Sequence, residues 1–175
     1  MKATGVVRRI DELGRLVIPK EIRRTLRIRE GESLEVFVDS NSIILKKYSI
    51  MRNIDELAFN LTDSFYSFLK KSVVITDNDS IIACSSNLKN KLINCKVSDE
   101  IIEYIKDRKE ILKDSLESIN ITDDYSLVTK YVLCPVVSNS DCVGLVLIFD
   151  EDKIADEEMK MCMIASKILS KAIEE

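Results

Sequence analysis

Seven of the nine arginines in this 175-residue chain lie between residues 8 and 29. That crowding limits what the N-terminal part can become. Residues 1–50 hold 11 Lys+Arg against 7 Asp+Glu, whereas residues 51–175 hold 15 against 23, so a net charge of −4 conceals a basic segment joined to an acidic one. Asymmetry of this kind suggests a polyanion-binding module fused to a second module. By charge alone a cluster on a solvated face would look the same. The preference for arginine over lysine points toward phosphate or guanine, because a planar guanidinium donates two parallel hydrogen bonds.

Within the basic segment, Thr4 to Ile10 is rich in β-branched residues and reads as a strand. It ends at Asp11-Glu12-Leu13-Gly14, where the glycine suits a tight turn. Arg15 to Ile18 reads as a second short strand, and Pro19 then opens a short helix over Lys20–Leu26, where a missing N–H does no harm. Ile22 and Leu26 give this helix one apolar edge, while Arg23, Arg24 and Arg27 gather on another face. Leu34–Val38 and Ser42–Lys46 predict a hairpin around Asp39-Ser40-Asn41. A ββαββ module of about fifty residues rarely buries enough apolar surface to stand alone, so a second copy is expected to complete the core. Two copies about a two-fold axis would match the symmetry of duplex DNA.

The run TGVVRRIDELGRLVIPKEIRRTLRIREGESLEVFV, followed by IILKKY, resembles the DNA-binding domain of the AbrB family of bacterial transition-state regulators. The resemblance covers residues 1–48 and implies a dimeric, mainly-β swapped-hairpin barrel. In that family arginines of the first strand, the LGR turn and the RRTL helix contact double-stranded DNA, with a loose sequence consensus. Carried over residue by residue, this implies DNA contacts at Arg8, Arg9, Arg15, Arg23 and Arg24. Charge position alone adds Arg27 and Lys2. For Arg9 and Arg27 an ion pair with a nearby glutamate is the competing reading.

Residues 48–71 carry apolar side chains at three- and four-residue steps without Pro or Gly, which predicts one amphipathic helix joining the two halves. Beyond it, Val73–Thr76 and Ile81–Cys84 flank an Asx-rich turn, and Ser98-Asp99-Glu100 has the cap and acidic start of a helix. Long β-rich runs follow over Tyr125–Val137 and Cys142–Phe149, then a terminal helix opening at Asp156. This order resembles a GAF domain, an α+β fold with an antiparallel sheet and terminal helices. The expected layout is residues 1–50 as the AbrB-like domain, 51–71 as linker and first helix, and 72–175 as a GAF-like regulatory and oligomerisation domain. The whole chain, including the segment ITD before a hairpin and VGLVLIFD near the end, is similar to the SpoVT family of stage V sporulation regulators. That resemblance implies a homotetramer, a dimer of dimers held through the C-terminal domains. GAF domains often hold a small effector, but nothing in the sequence identifies one.

The absence of histidine excludes Ser-His-Asp and Cys-His nucleophilic machinery and the HExxH zinc site. With no Gly-rich phosphate loop either, an enzyme is not expected, and no cofactor or metal is called for. The five cysteines form no CxxC pair and read as small core residues. Asp77/Asp79 and Asp150/Glu151/Asp152 read as turn and helix-start residues before they read as cation ligands. The N-terminus has no apolar signal region and no run is long enough to span a membrane, so the expected location is cytoplasmic. The sum is a sequence-tolerant DNA-binding regulator of sporulation genes. The alternative is an antitoxin with a similar swapped-hairpin head that neutralises a toxin partner through its acidic part.

Overall fold

The computed structural model describes residues 7–174, and the chain divides into two compact units, Met1–Tyr48 and Ser49–Glu175. Lys2 and residues 4–6 of the expected first strand lie outside the described residues.

In the N-terminal unit the expected first hairpin is corrected: residues 7–10 and 15–18 form no strand. Only its tip exists. The Asp11 N–H donates to the Arg15 carbonyl oxygen at 3.1 Å and the Gly14 N–H to that of Asp11 at 2.9 Å, with Gly14 at φ +74°. The physical reason is the lack of a ladder and of a core to lie on, since Val7 and Val17 are 91% and 72% exposed. Helix α1 (Lys20–Thr25) starts directly after Pro19. It is closed by Ile28 N–H donating to the Arg23 oxygen at 2.8 Å and Arg27 N–H to the Arg24 oxygen at 3.1 Å. That two-bond cap puts Arg27 at φ +54°, a position glycine usually takes. Strands β1 (Leu34–Asp39) and β2 (Ser42–Lys47) form an antiparallel hairpin in which Asp39 faces Ser42. Among the described residues of this unit, Pro19 alone is buried.

The C-terminal unit opens with a correction to the single expected helix. Residues Ile50–Ile54 form a 3-10 turn, and helix α2 runs over Asp55–Leu69. Tertiary contacts override the shared apolar period here: Met51 is fully buried, while Arg52 reaches the Ser80 hydroxyl at 3.2 Å and the Asp77 carboxylate at 3.9 Å. Ile54, at φ −120° and ψ 22°, breaks the winding between the two pieces.

Strands β3 (Ser72–Asp77) and β4 (Ile81–Cys84) follow, joined by the Asx turn, in which Asp77 Oδ1 accepts the N–H groups of Asp79 at 2.8 Å and Ser80 at 2.6 Å. Next come a short helix α3 (Lys89–Leu92) and helix α4 (Asp99–Asp107), the latter capped by Ser98 Oγ accepting the Ile101 N–H at 3.2 Å. Strands β5 (Ile111–Thr122), β6 (Tyr125–Ser138) and β7 (Asp141–Asp150) and helix α5 (Asp156–Glu174) complete the unit. The five strands are antiparallel in the order β4-β3-β7-β6-β5. At the centre Gly144 of β7 lies against β3 so closely that a Cβ there would sit 1.9 Å from the Thr76 carbonyl oxygen.

Alternation along the central strands fills both faces of the sheet. One face packs Val74, Leu133 and Leu147 under Ile101, Ile102 and Ile105 of α4. The other packs Val73, Ile75, Val132, Val146 and Ile148 under Ala58 of α2 and Cys162, Ala165 and Leu169 of α5. The start of α5 is pinned by a buried ion pair, Lys71 to Glu158, while Glu158 Oε2 also accepts the Ala155 N–H at 2.7 Å. Burial pushes the Glu158 carboxyl up, but the Lys71 ammonium and the Ala155 N–H outweigh it and hold the group below its usual value. A depressed carboxylate stabilises the fold above its unfolded pKa near 4.5 and loses that stability as pH falls. Lys71→Met, which strands a buried carboxylate, should lower the unfolding free energy at pH 7 by about 3 kcal/mol. The deficit should narrow in urea titrations below pH 4.5 as Glu158 is protonated; a deficit that stays constant with pH would contradict the pair's role.

Candidate nucleic-acid interface

All six arginines expected to meet DNA fall in the N-terminal unit, on three local structures. Arg8 and Arg9 are exposed on the segment before the Asp11 turn, Arg15 is exposed on that turn, and Arg23 and Arg24 are exposed in the last turn of α1. Arg27 is half-buried in the α1 cap. The left-handed backbone at a residue with a side chain costs on the order of 1 kcal/mol, offset here by a cation at the negative end of the helix dipole.

The structure brings Arg8 to an open groove of about 420 Å³ together with Leu16, Val17, Ile22, Leu26 and Leu45. Arg15 stands outside that lining. Its guanidinium is held instead by the residue four positions back, Nε donating to Asp11 Oδ2 at 2.7 Å. Asp11 Oδ1 meanwhile accepts the N–H groups of Leu13 at 3.0 Å and Arg15 at 2.7 Å. The backbone and side chain of Arg15 hold the Asp11 carboxyl below its ordinary value. Asp11 is thus more than the turn residue its place in the sequence suggests, and the Asp-x-x-Gly-Arg spacing is the signal for its second role.

In the C-terminal unit the layer between α4 and the sheet is packed, with Tyr104 and Tyr131 hydroxyls 3.0 Å apart inside it. A polar cleft of about 270 Å³ lies at the start of α4, lined by Asp99, Glu100, Asn120 and Asp123 among others. Its groups are engaged in joining α4 to β5: Glu100 Oε2 accepts both the backbone N–H of Asn120 at 3.0 Å and its amide at 2.8 Å. Asp77 is taken up by its turn. All five cysteines are free thiols, Cys84, Cys134 and Cys162 buried and Cys95 and Cys142 half-buried. Burial pushes the Cys84 thiol up to about 11 and raises those of Cys142 and Cys162 as well. Among the described residues no group of three or more His, Cys, Asp or Glu could hold a metal ion, and no helix is long and apolar enough to cross a membrane.

Residues 53–174 match the family described as stage V sporulation protein T C-terminal, transcription factor, and residues 7–53 match the bacterial antitoxin family described as antidote-toxin recognition MazE. The chain is 41% identical to stage V sporulation protein T of Bacillus subtilis (strain 168) over 178 aligned residues, covering 100% of both chains. It is 65% identical over 48 residues to the transition state regulatory protein AbrB of the same organism, covering 27% of this chain and 50% of that one. The GAF domain of an Acinetobacter phosphoenolpyruvate-protein phosphotransferase aligns with a TM-score of 0.51 at 9% identity over 74% of this chain and 84% of that one. A methyl-accepting chemotaxis protein fragment aligns with a TM-score of 0.54 at 15% identity over 71% and 94%. These two share the fold of the C-terminal unit.

The thiol environments have a direct readout. Brief alkylation of the native protein with iodoacetamide at pH 7.5 should label Cys95 first and leave Cys84, Cys134 and Cys162 untouched by mass spectrometry. Rapid labelling of Cys84 would contradict its burial.

Proposed function

The chain belongs to the stage V sporulation protein T family of transcription factors, and we propose that paired copies of its N-terminal unit grip duplex DNA with Arg8, Arg9, Arg15, Arg23, Arg24 and Arg27. It is a DNA-binding transcriptional regulator with a GAF-like C-terminal domain. The observation that carries the pairing is that the unit exposes its apolar side chains alongside its arginines. Ile10, Val36, Val38 and Ile43 are 59% or more exposed, and the groove beside Arg8 is lined by further Val, Ile and Leu. Exposure of this kind in so small a unit marks an interface. A second copy entering the groove with residues 7–18 would give those residues the ladder they lack and close a swapped-hairpin barrel. It would also set two arginine sets side by side, as a two-fold duplex requires.

Contacts of this type go mostly to phosphate, which explains tolerance of sequence and implies steep salt dependence. The C-terminal unit joins dimers into a tetramer through the outer stripe of α5, where Ile164 and Ile168, four apart, are 54% and 40% exposed. Linked heads raise occupancy by effective concentration without a new contact per head. The division of labour is that of a cytoplasmic binding protein and not of an enzyme. The antitoxin reading has support only over residues 7–53, and the remainder folds into its own five-stranded domain instead of an acidic tail awaiting a toxin.

Arg23→Ala or Arg24→Ala should weaken binding to many duplexes together and flatten the plot of log K against log salt by roughly 1. Fluorescence anisotropy at several salt concentrations measures this, and an unchanged titration removes that arginine from the contact set. Replacing Ile164 and Ile168 together by Lys should convert a tetramer to a dimer in light scattering while leaving each dimer able to bind DNA. Persistence of the tetramer would locate the interface elsewhere.

A further inference from the structure

We infer that Asp11 and Arg15 act as one neutral base-reading unit, in which Asp11 is a positioning residue that aims Arg15 at a guanine edge. The inference rests on the DNA-binding reading above. Three hydrogen bonds accepted by one carboxylate define it. The backbone N–H groups of Leu13 and Arg15 donate two and set the turn, and Arg15 Nε donates the third at 2.7 Å. With Nε occupied, the side chain presents its two terminal amino groups end-on, the fork that matches the O6 and N7 acceptors of guanine.

Electrostatics separates this from a phosphate anchor. A carboxylate 2.7 Å from the guanidinium cancels most of its charge and would itself repel a phosphate. Phosphate binding draws on net charge and is weakened by such a partner. Base-edge reading depends on direction, which the partner supplies by restricting an exposed side chain before binding. Arg23 and Arg24, in the last turn of α1, fit the phosphate role; the clamped Arg15 fits the specific one. Asp11 carries its charge at neutral pH, its carboxyl held below the ordinary value by the Arg15 backbone and side chain.

The test uses the full-length protein, a duplex selected by it from a random pool, the same duplex with its guanines replaced by 7-deazaguanine, and a random duplex of equal length. Asp11→Asn keeps an oxygen for the two turn N–H groups but removes the charge. It should lower the ratio of selected to random affinity roughly 2- to 12-fold and steepen the salt slope on random DNA by about 1 as Arg15 is freed for phosphate. Wild type should lose affinity on 7-deazaguanine DNA, and Arg15→Ala should abolish that loss. An unchanged ratio in Asp11→Asn, with Arg15→Ala binding weakly, overturns the clamp and leaves the DNA reading intact. Wild-type indifference to 7-deazaguanine overturns guanine reading. If Arg15→Ala and Arg23→Ala both bind like wild type, the DNA-contact reading itself fails. Circular dichroism of each variant guards the comparison, and loss of fold in Asp11→Asn moves the test to Asp11→Ser, which can also accept a turn N–H.

Discussion

The N-terminal unit cannot bury its own apolar side chains. A unit of this size with seven arginines and only Pro19 buried among its described residues leaves Val7, Ile10, Val17, Val36, Val38 and Ile43 in water. Water penalises that exposure at about 25 cal/mol per Å². The reading of a paired unit follows from this shortage, and with it the arrangement of charge. The segments that form no strand within one chain, residues 7–10 and 15–18, are the ones that carry the exposed Arg8, Arg9 and Arg15.

The C-terminal unit is built on the opposite principle. Its five-stranded sheet is covered on both faces, and it packs a full apolar core on each. Polar groups inside are nearly all spent on holding elements in place: Lys71 with Glu158 at the start of α5, Asp77 in the β3–β4 turn, Ser98 on α4. Helices α1, α2 and α4 each end on a basic residue in the left-handed region, Arg27, Lys70 and Arg108. Glycine would relieve the backbone there, but a cation also meets the negative helix end.

Local chemistry made much of this legible. Pro19 before α1, Gly14 at positive φ, Ser98 as a cap, and the Asx turn at Asp77 each act through their immediate neighbours, and each is readable from the chain. Strand β5 is not legible in the sequence. Its edge position and the irregular register between Lys113 and Glu117 blur the alternation that marks a strand. The apolar spacing of residues 50–54 continues that of α2 and predicts helix. Burial of Met51 and the reach of Arg52 to Asp77 wound them tighter, and neither contact has a signature in sequence.

By itself the sequence determined the basic head and acidic body, the turns and caps, and which residue types could face a polyanion, because these depend on composition and short-range bonding. Only tertiary structure decided that residues 7–10 and 15–18 form no strand within one chain, that Arg52 reaches Asp77, and that Lys71 meets Glu158. Those outcomes depend on distances between atoms that the chain brings together in folding, and spacing along the sequence does not encode which partner a charge will reach.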